Sequence, residues 1–87
     1  MKKTDSSFPF PCSFPLKVMG LNTELFAAAV PAIFEKYAGP GRISYSRRLS
    51  SGGKYLSITA TFTARSKDQL DALYQELNAH DLVVMTL

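Results

Sequence analysis

Cys12 and His80 are the single thiol and the single imidazole in the chain, so any cysteine- or histidine-based catalysis must draw on them. A cysteine nucleophile needs a base beside it and a third group to orient that base. Cys12 lies in Phe10-Pro11-Cys12-Ser13-Phe14-Pro15, a Phe/Pro segment poorly suited to preorganising a thiolate, and His80 follows by 68 positions. One Cys and one His also fall short of the three or four ligands of a zinc site. The expectation is an idle or packed thiol, a histidine that caps the negative end of a helix, and no catalytic residue, metal or cofactor.

Two glycine-containing stretches carry weaker suggestions. Ser50-Ser51-Gly52-Gly53-Lys54 has the composition of a phosphate loop but neither its spacing nor a following helix, so it reads as a hairpin turn. Gly39-Pro40-Gly41-Arg42 reads as a helix stop and turn, with Arg42 a minor candidate for anion binding. Gly53-Lys54-Tyr55 resembles the start of an RNA-recognition strand. Base stacking needs aromatics at alternate positions, however, and Tyr55 is followed by Ser57 and Thr59, so nucleic acid is not expected.

What remains is a surface. Arg47 and Arg48 fall on a strand expected at a sheet edge, where charge discourages pairing with other chains. Together with Tyr55, Ser57 and Thr59 they form the candidate partner surface. Asp68, Asp71 and Glu76 read as the solvated face of a helix.

The elements that position these groups follow from periodicity. In Tyr55-Leu56-Ser57-Ile58-Thr59-Ala60-Thr61-Phe62, period two places Leu56, Ile58, Ala60 and Phe62 on a dry face, and hydroxyl-bearing residues on a wet one. Such a strand belongs to an open sheet covered on one side. A first strand spans residues 14–19 and is ended by Gly20. Asn22 or Thr23 then caps a helix with Phe26, Ala29, Val30, Ile33, Phe34 and Tyr37 at helical spacing. Pro31 sits inside that helix, where a kink or a looser first half is expected.

A second strand, residues 42–49, joins the third through a turn at Ser50-Ser51-Gly52-Gly53. A two- or four-residue loop pairs Tyr45 with Ile58 and Ile43 with Ala60, leaving Ser44, Ser46, Arg48, Ser57, Thr59 and Thr61 on the open face. Ser66 and Gln69 have capping-box spacing ahead of the stripe Leu70, Leu73, Tyr74, Leu77. Residues 82–87 form the last strand. The order is βαββαβ, the α+β ferredoxin-like arrangement with two helices on one face of a four-stranded antiparallel sheet. Val18, Ile33, Ile58, Phe62, Leu73 and Leu77 are the expected core.

At 87 residues, with 46% hydrophobic and 20% charged content, the chain is one globular domain of residues 14–87 behind a flexible segment of residues 1–13 that is anchored by Phe8 and Phe10. A net charge of +3 is too small to argue for a polyanionic partner. The Met1-Lys2-Lys3 start mimics an export signal, but Asp5, Pro9, Pro11 and Pro15 interrupt any apolar core. The longest apolar run, residues 25–34, is too short to cross a bilayer and contains Pro31. A cytoplasmic protein without membrane association is expected.

Three segments carry a family resemblance: Phe10-Pro11-Cys12-Ser13-Phe14-Pro15-Leu16-Lys17-Val18-Met19-Gly20, Gly53-Lys54-Tyr55-Leu56-Ser57-Ile58-Thr59, and Gln69-Leu70-Asp71-Ala72-Leu73-Tyr74-Gln75-Glu76-Leu77. In this order they are similar to the YbeD-like family of small bacterial proteins. The resemblance implies a ferredoxin-like fold akin to regulatory ACT domains, no established activity, and a link to lipoate metabolism through neighbouring lipoate-attachment genes. It carries over no site residues. Two functions fit: a regulatory or adaptor module that binds a protein partner or its own copy, or an ACT-like sensor of an amino acid or similar metabolite. The sensor's ligand would sit near Gly39-Pro40-Gly41 or Ser51-Gly52-Gly53.

Overall fold

The computed structural model describes residues 10–39 and 41–87. Its elements run β1 (Cys12–Leu21), α1 (Glu24–Ala38), β2 (Ser44–Leu49), β3 (Tyr55–Ala64), α2 (Lys67–Ala79) and β4 (Val83–Thr86). The strands form one antiparallel sheet in the order β2-β3-β1-β4, which is the expected ferredoxin-like topology. The predicted flexibility of the leading segment concerns mainly residues 1–9, which, with the Phe8 anchor among them, lie outside the described residues, as does Pro40 of the predicted turn.

The core is dry, with no buried polar or charged residue among those described. From the sheet, Leu16, Val18, Leu56, Ile58, Ala60, Phe62 and Ala64 project inward. Phe26, Val30, Ile33 and Phe34 of α1 and Leu70, Leu73 and Leu77 of α2 meet them. The Phe34 ring packs 5.8 Å from that of Phe62, and Phe14 closes the other side at 6.0 Å. All six predicted core residues are buried. Phe10 packs against the core edge, as expected of an apolar anchor.

Both helices start on hydroxyl caps. Thr23 Oγ1 accepts from the Phe26 amide at 3.2 Å, so Thr23 rather than Asn22 begins α1, and Gly39 ends it with φ of 87°. Helix α1 runs unbroken through Pro31. Ser66 Oγ accepts from the Gln69 amide at 3.1 Å. The reciprocal arm of the box reaches one residue further back than expected, Gln69 Oε1 accepting from the Arg65 amide, while Gln69 Nε2 donates to the Tyr37 carbonyl at 2.8 Å. One side chain thus ties the start of α2 to the end of α1.

Several predicted boundaries move. Strand β1 begins at Cys12, so Cys12 and Ser13 belong to the folded unit and not to the leading segment, and β1 passes through Gly20 to Leu21. Gly20 does not end the strand: it sits at a register shift toward β4, where a Cβ would overlap the Phe26 ring and the Leu82 carbonyl. Strand β2 begins at Ser44 and not at residue 42.

The hairpin register is two residues away from the expected one: Tyr45 faces Ala60, and Ile58 faces Arg47. The cause is Ser50. Its carbonyl accepts from the Gly53 amide at 2.8 Å, its amide donates to the Tyr55 carbonyl at 2.9 Å, and its Oγ accepts from the Tyr55 amide at 3.0 Å. Ser50 therefore closes the ladder, and the turn is made by residues 51–54. A slip of two preserves side-chain faces, so Ser44, Ser46, Arg48, Ser57, Thr59 and Thr61 still share the open face.

Pro15 in the central strand β1 is tolerated because of where β4 stops. Lys17 exchanges both backbone hydrogen bonds with Leu87, at 3.1 and 2.8 Å, so β1 residues of that parity point toward β4. Position 15 points the same way and meets no paired residue on that side among those described, so its missing N–H costs no ladder bond there.

Candidate functional site

Four of the five residues expected at a partner surface border one shallow hollow of about 420 Å³ on the open face: Arg47, Arg48, Ser57 and Thr59. Ser46 and Lys17 complete it. The register explains the grouping, since Ser46 lies opposite Thr59, Arg48 opposite Ser57, and Lys17 opposite Thr59 from the other side. Tyr55 shares the face but lies outside the hollow, with the Lys54 ammonium 5.5 Å from its ring centroid.

Arg47 has a different position from its neighbours. Facing Ile58, it projects to the helix side of the sheet; like Arg48 it borders both the open-face hollow and a second one of about 590 Å³. That second hollow lies where the end of β2 passes the start of α1, bordered by Asn22, Thr23, Glu24, Ala27, Leu49 and Leu56 among others. Asn22 latches it to the hairpin turn, its amide donating to the Lys54 carbonyl at 2.9 Å and its Nδ2 to the Gly53 carbonyl at 3.2 Å.

Lys17 was missed as a member of this surface. The signal was available, since alternation from the buried Leu16 and Val18 puts Lys17 on the open face; its β3 partner Thr59 became evident only with the register.

Charge is segregated. The strands contain no Asp or Glu: the described carboxylate side chains are Glu24 and Glu35 on α1, Asp68, Asp71 and Glu76 on α2, and Asp81 in the turn after it. The two ion pairs among the described residues, Lys36–Glu76 and Lys67–Asp71, both at 2.9 Å, belong to the helical layer. Glu76 also accepts from the Tyr37 hydroxyl at 2.6 Å. The Tyr37 hydrogen bond, then that from Lys36, hold the Glu76 carboxyl below its ordinary range, and both donors are correspondingly raised by Glu76. Lys17, Arg47 and Arg48 have no such ion-pair partner within the described residues.

The thiol and the imidazole are not brought together. Cys12 opens β1 opposite Ala64, whereas His80 precedes β4, which pairs with the other end of β1 at Gly20. Eight residue steps of strand separate those ends, on the order of 26 Å. His80 is the C-cap of α2, its backbone amide donating to the Leu77 carbonyl, and its Nδ1 accepts from the Leu82 amide at 3.2 Å. No group of three or more His, Cys, Asp or Glu able to hold a metal occurs among the described residues. No helix among them is long and apolar enough to cross a membrane.

Similarity to known proteins agrees with this arrangement. Residues 5–87 match the family described as "Protein of unknown function (DUF493)". The UPF0250 protein NE1487 of Nitrosomonas europaea is 40% identical over 84 residues, covering 95% of this chain and 97% of that protein. A UPF0250 protein of Shewanella baltica is 46% identical over 77 residues, covering 88% and 86%. The solution structure of HP0495 from H. pylori superposes with a TM-score of 0.72 at 20% identity, covering 100% of this chain and 96% of that one, which supports the fold. The chain therefore belongs to the DUF493, or UPF0250, family of small bacterial proteins, the YbeD-like group that its motifs resemble.

Proposed function

We propose that this protein is a small regulatory or adaptor module, without enzymatic activity of its own, that works in the cytoplasm by docking a protein partner on its open sheet face. The supporting observation is the segregation of charge: the sheet presents Lys17, Arg48 and a row of hydroxyls, with no acidic side chain in any of its strands. Complementary charge speeds encounter and selects partners more than it raises affinity, which suits a regulatory contact. The association with lipoate attachment that the YbeD-like resemblance implies makes the lipoate-attachment enzymes the first partners to examine.

Purification of tagged full-length protein from its native bacterium tests this reading. One stoichiometric partner is expected, and it should be lost from the double variant Arg48→Glu, Thr59→Arg. Retention of the partner by that variant would rule out docking on the open face.

A second reading, an ACT-like metabolite sensor, is favoured by the 590 Å³ hollow beside the hairpin turn, where Arg47 and Arg48 approach Asn22 and Thr23. A thermal-shift screen separates the two. A metabolite selective for the folded state must raise the melting temperature, and a rise abolished by Arg47→Ala would favour the sensor.

A further inference from the structure

Among the described residues, no strand pairs with the outer edge of β2. In an antiparallel ladder, the residues of alternate pairs exchange hydrogen bonds with the neighbouring strand, and those between them point away. The Ser50–Tyr55 bond fixes the phase, so Ser44, Ser46 and Arg48 bond toward β3, while Tyr45, Arg47 and Leu49 direct their N–H and C=O groups outward. Those outward groups meet no backbone partner among the described residues. All six residues of β2 are exposed, and the strand contains no proline, glycine or carboxylate. The opposite edge is different: β4 has four residues and a register shift where it joins β1.

We propose that β2 takes up an extended acidic segment of the partner protein as a fifth strand, with main-chain bonds to Tyr45, Arg47 and Leu49. This rests on the docking reading above and names the chemistry of the partner. Strand addition supplies affinity through main-chain bonds and specificity through side chains on alternate faces. Arg47 and Arg48, being consecutive, stand on opposite faces of the sheet at this edge. An incoming strand with two adjacent carboxylates offers one to each guanidinium, and neither guanidinium has an ion-pair partner among the described residues. The same pair disfavours self-association: joining two β2 edges would gather four guanidiniums along a seam whose strands carry no carboxylate.

The test is amide exchange on the full-length protein with a capped octapeptide of alternating Thr and Val carrying Glu-Glu at its centre. At saturation, exchange of the Tyr45, Arg47 and Leu49 amides should slow by about tenfold or more, as expected when about nine sites in ten are occupied. The same peptide with Lys-Lys, or with its alternate amides N-methylated on the bonding edge, should protect none of them. Arg47→Pro removes an outward donor that makes no internal bond, so it should leave the ladder to β3 intact while abolishing protection.

Absence of protection at millimolar peptide, equal protection by the Lys-Lys peptide, or protection that grows with protein concentration alone would each overturn strand addition, the last by showing that a second copy occupies the edge. If Arg47→Pro retains the native partner while Arg48→Glu, Thr59→Arg loses it, open-face docking stands and strand addition fails.

Discussion

The two faces of this sheet are built from the same strands and have almost nothing else in common. On the covered face, Leu16, Val18, Ile58 and Ala60 are at most 1% exposed. One residue along, Lys17, Ser57 and Thr59 contact solvent and a shallow hollow. The first face holds the fold together by removing apolar surface from water, and the second contributes little to that and is free to vary its chemistry. Stability and the proposed recognition are therefore separated at a spacing of one residue, and substitutions on the two faces should be sharply unequal.

Ile58→Asp is the most severe way to probe that inequality. An unpaired carboxylate in a core that contains no polar partner should cost at least about 4 kcal/mol, most of the stability of a domain this size. Loss of amide dispersion in the NMR spectrum is expected, and a native-like spectrum would contradict the assignment of the covered face. Gly20→Ala tests the seam between sheet and α1, where the added methyl must displace the Phe26 ring or the Leu82 backbone. A loss of about 1–3 kcal/mol is expected, read as a lower melting temperature.

On the open face the expectation reverses. Arg48→Glu should change stability by less than about 0.5 kcal/mol, because the side chain is exposed and unpaired, while it inverts the local charge and removes partner binding. A large loss of stability there would show that the open face helps to hold the fold after all.

The smallest effect belongs to the helical layer. The Glu76 carboxyl is held below its ordinary range, so its contribution is present above pH 4.5 and is lost as pH falls through its lowered value. Tyr37 and Lys36 are raised, so their share is complete below their ordinary values of 10.0 and 10.5 and is lost as pH rises through the raised ones. The melting-temperature difference between wild type and Glu76→Gln should therefore be flat across neutral pH and shrink in acid. A difference that persisted well below the carboxylate range would disprove the role of the Glu76 carboxylate between Lys36 and Tyr37.

The same split between faces governs what could be read from the residues. Alternation in β3 through Phe62 and the stripe of α2 report burial, which is a local property of sequence, and both were legible, while Ala64 at the end of β3 was not. The faces of β2 were also legible, because parity survives a two-residue slip. The register itself was not, since it depends on whether Ser50 belongs to the turn or to the ladder, and that is decided by three hydrogen bonds around one hydroxyl-bearing residue. Lys17 lay on a face that could be read, but its place in the candidate site depended on pairing across β1 and β3. Gly20 was misread as a strand end because a glycine that ends a strand and a glycine that admits an aromatic ring look alike until the ring is placed.

Pro15 and the short β4 have a consequence for assembly. On the β4 side of β1, position 15 offers no N–H donor and meets no paired residue among those described, and β4 itself is four residues long. The two margins of the sheet are therefore unequal as templates for a further strand. A second strand added at that margin would start from four residues and a proline, a shorter and poorer template than the six residues of β2.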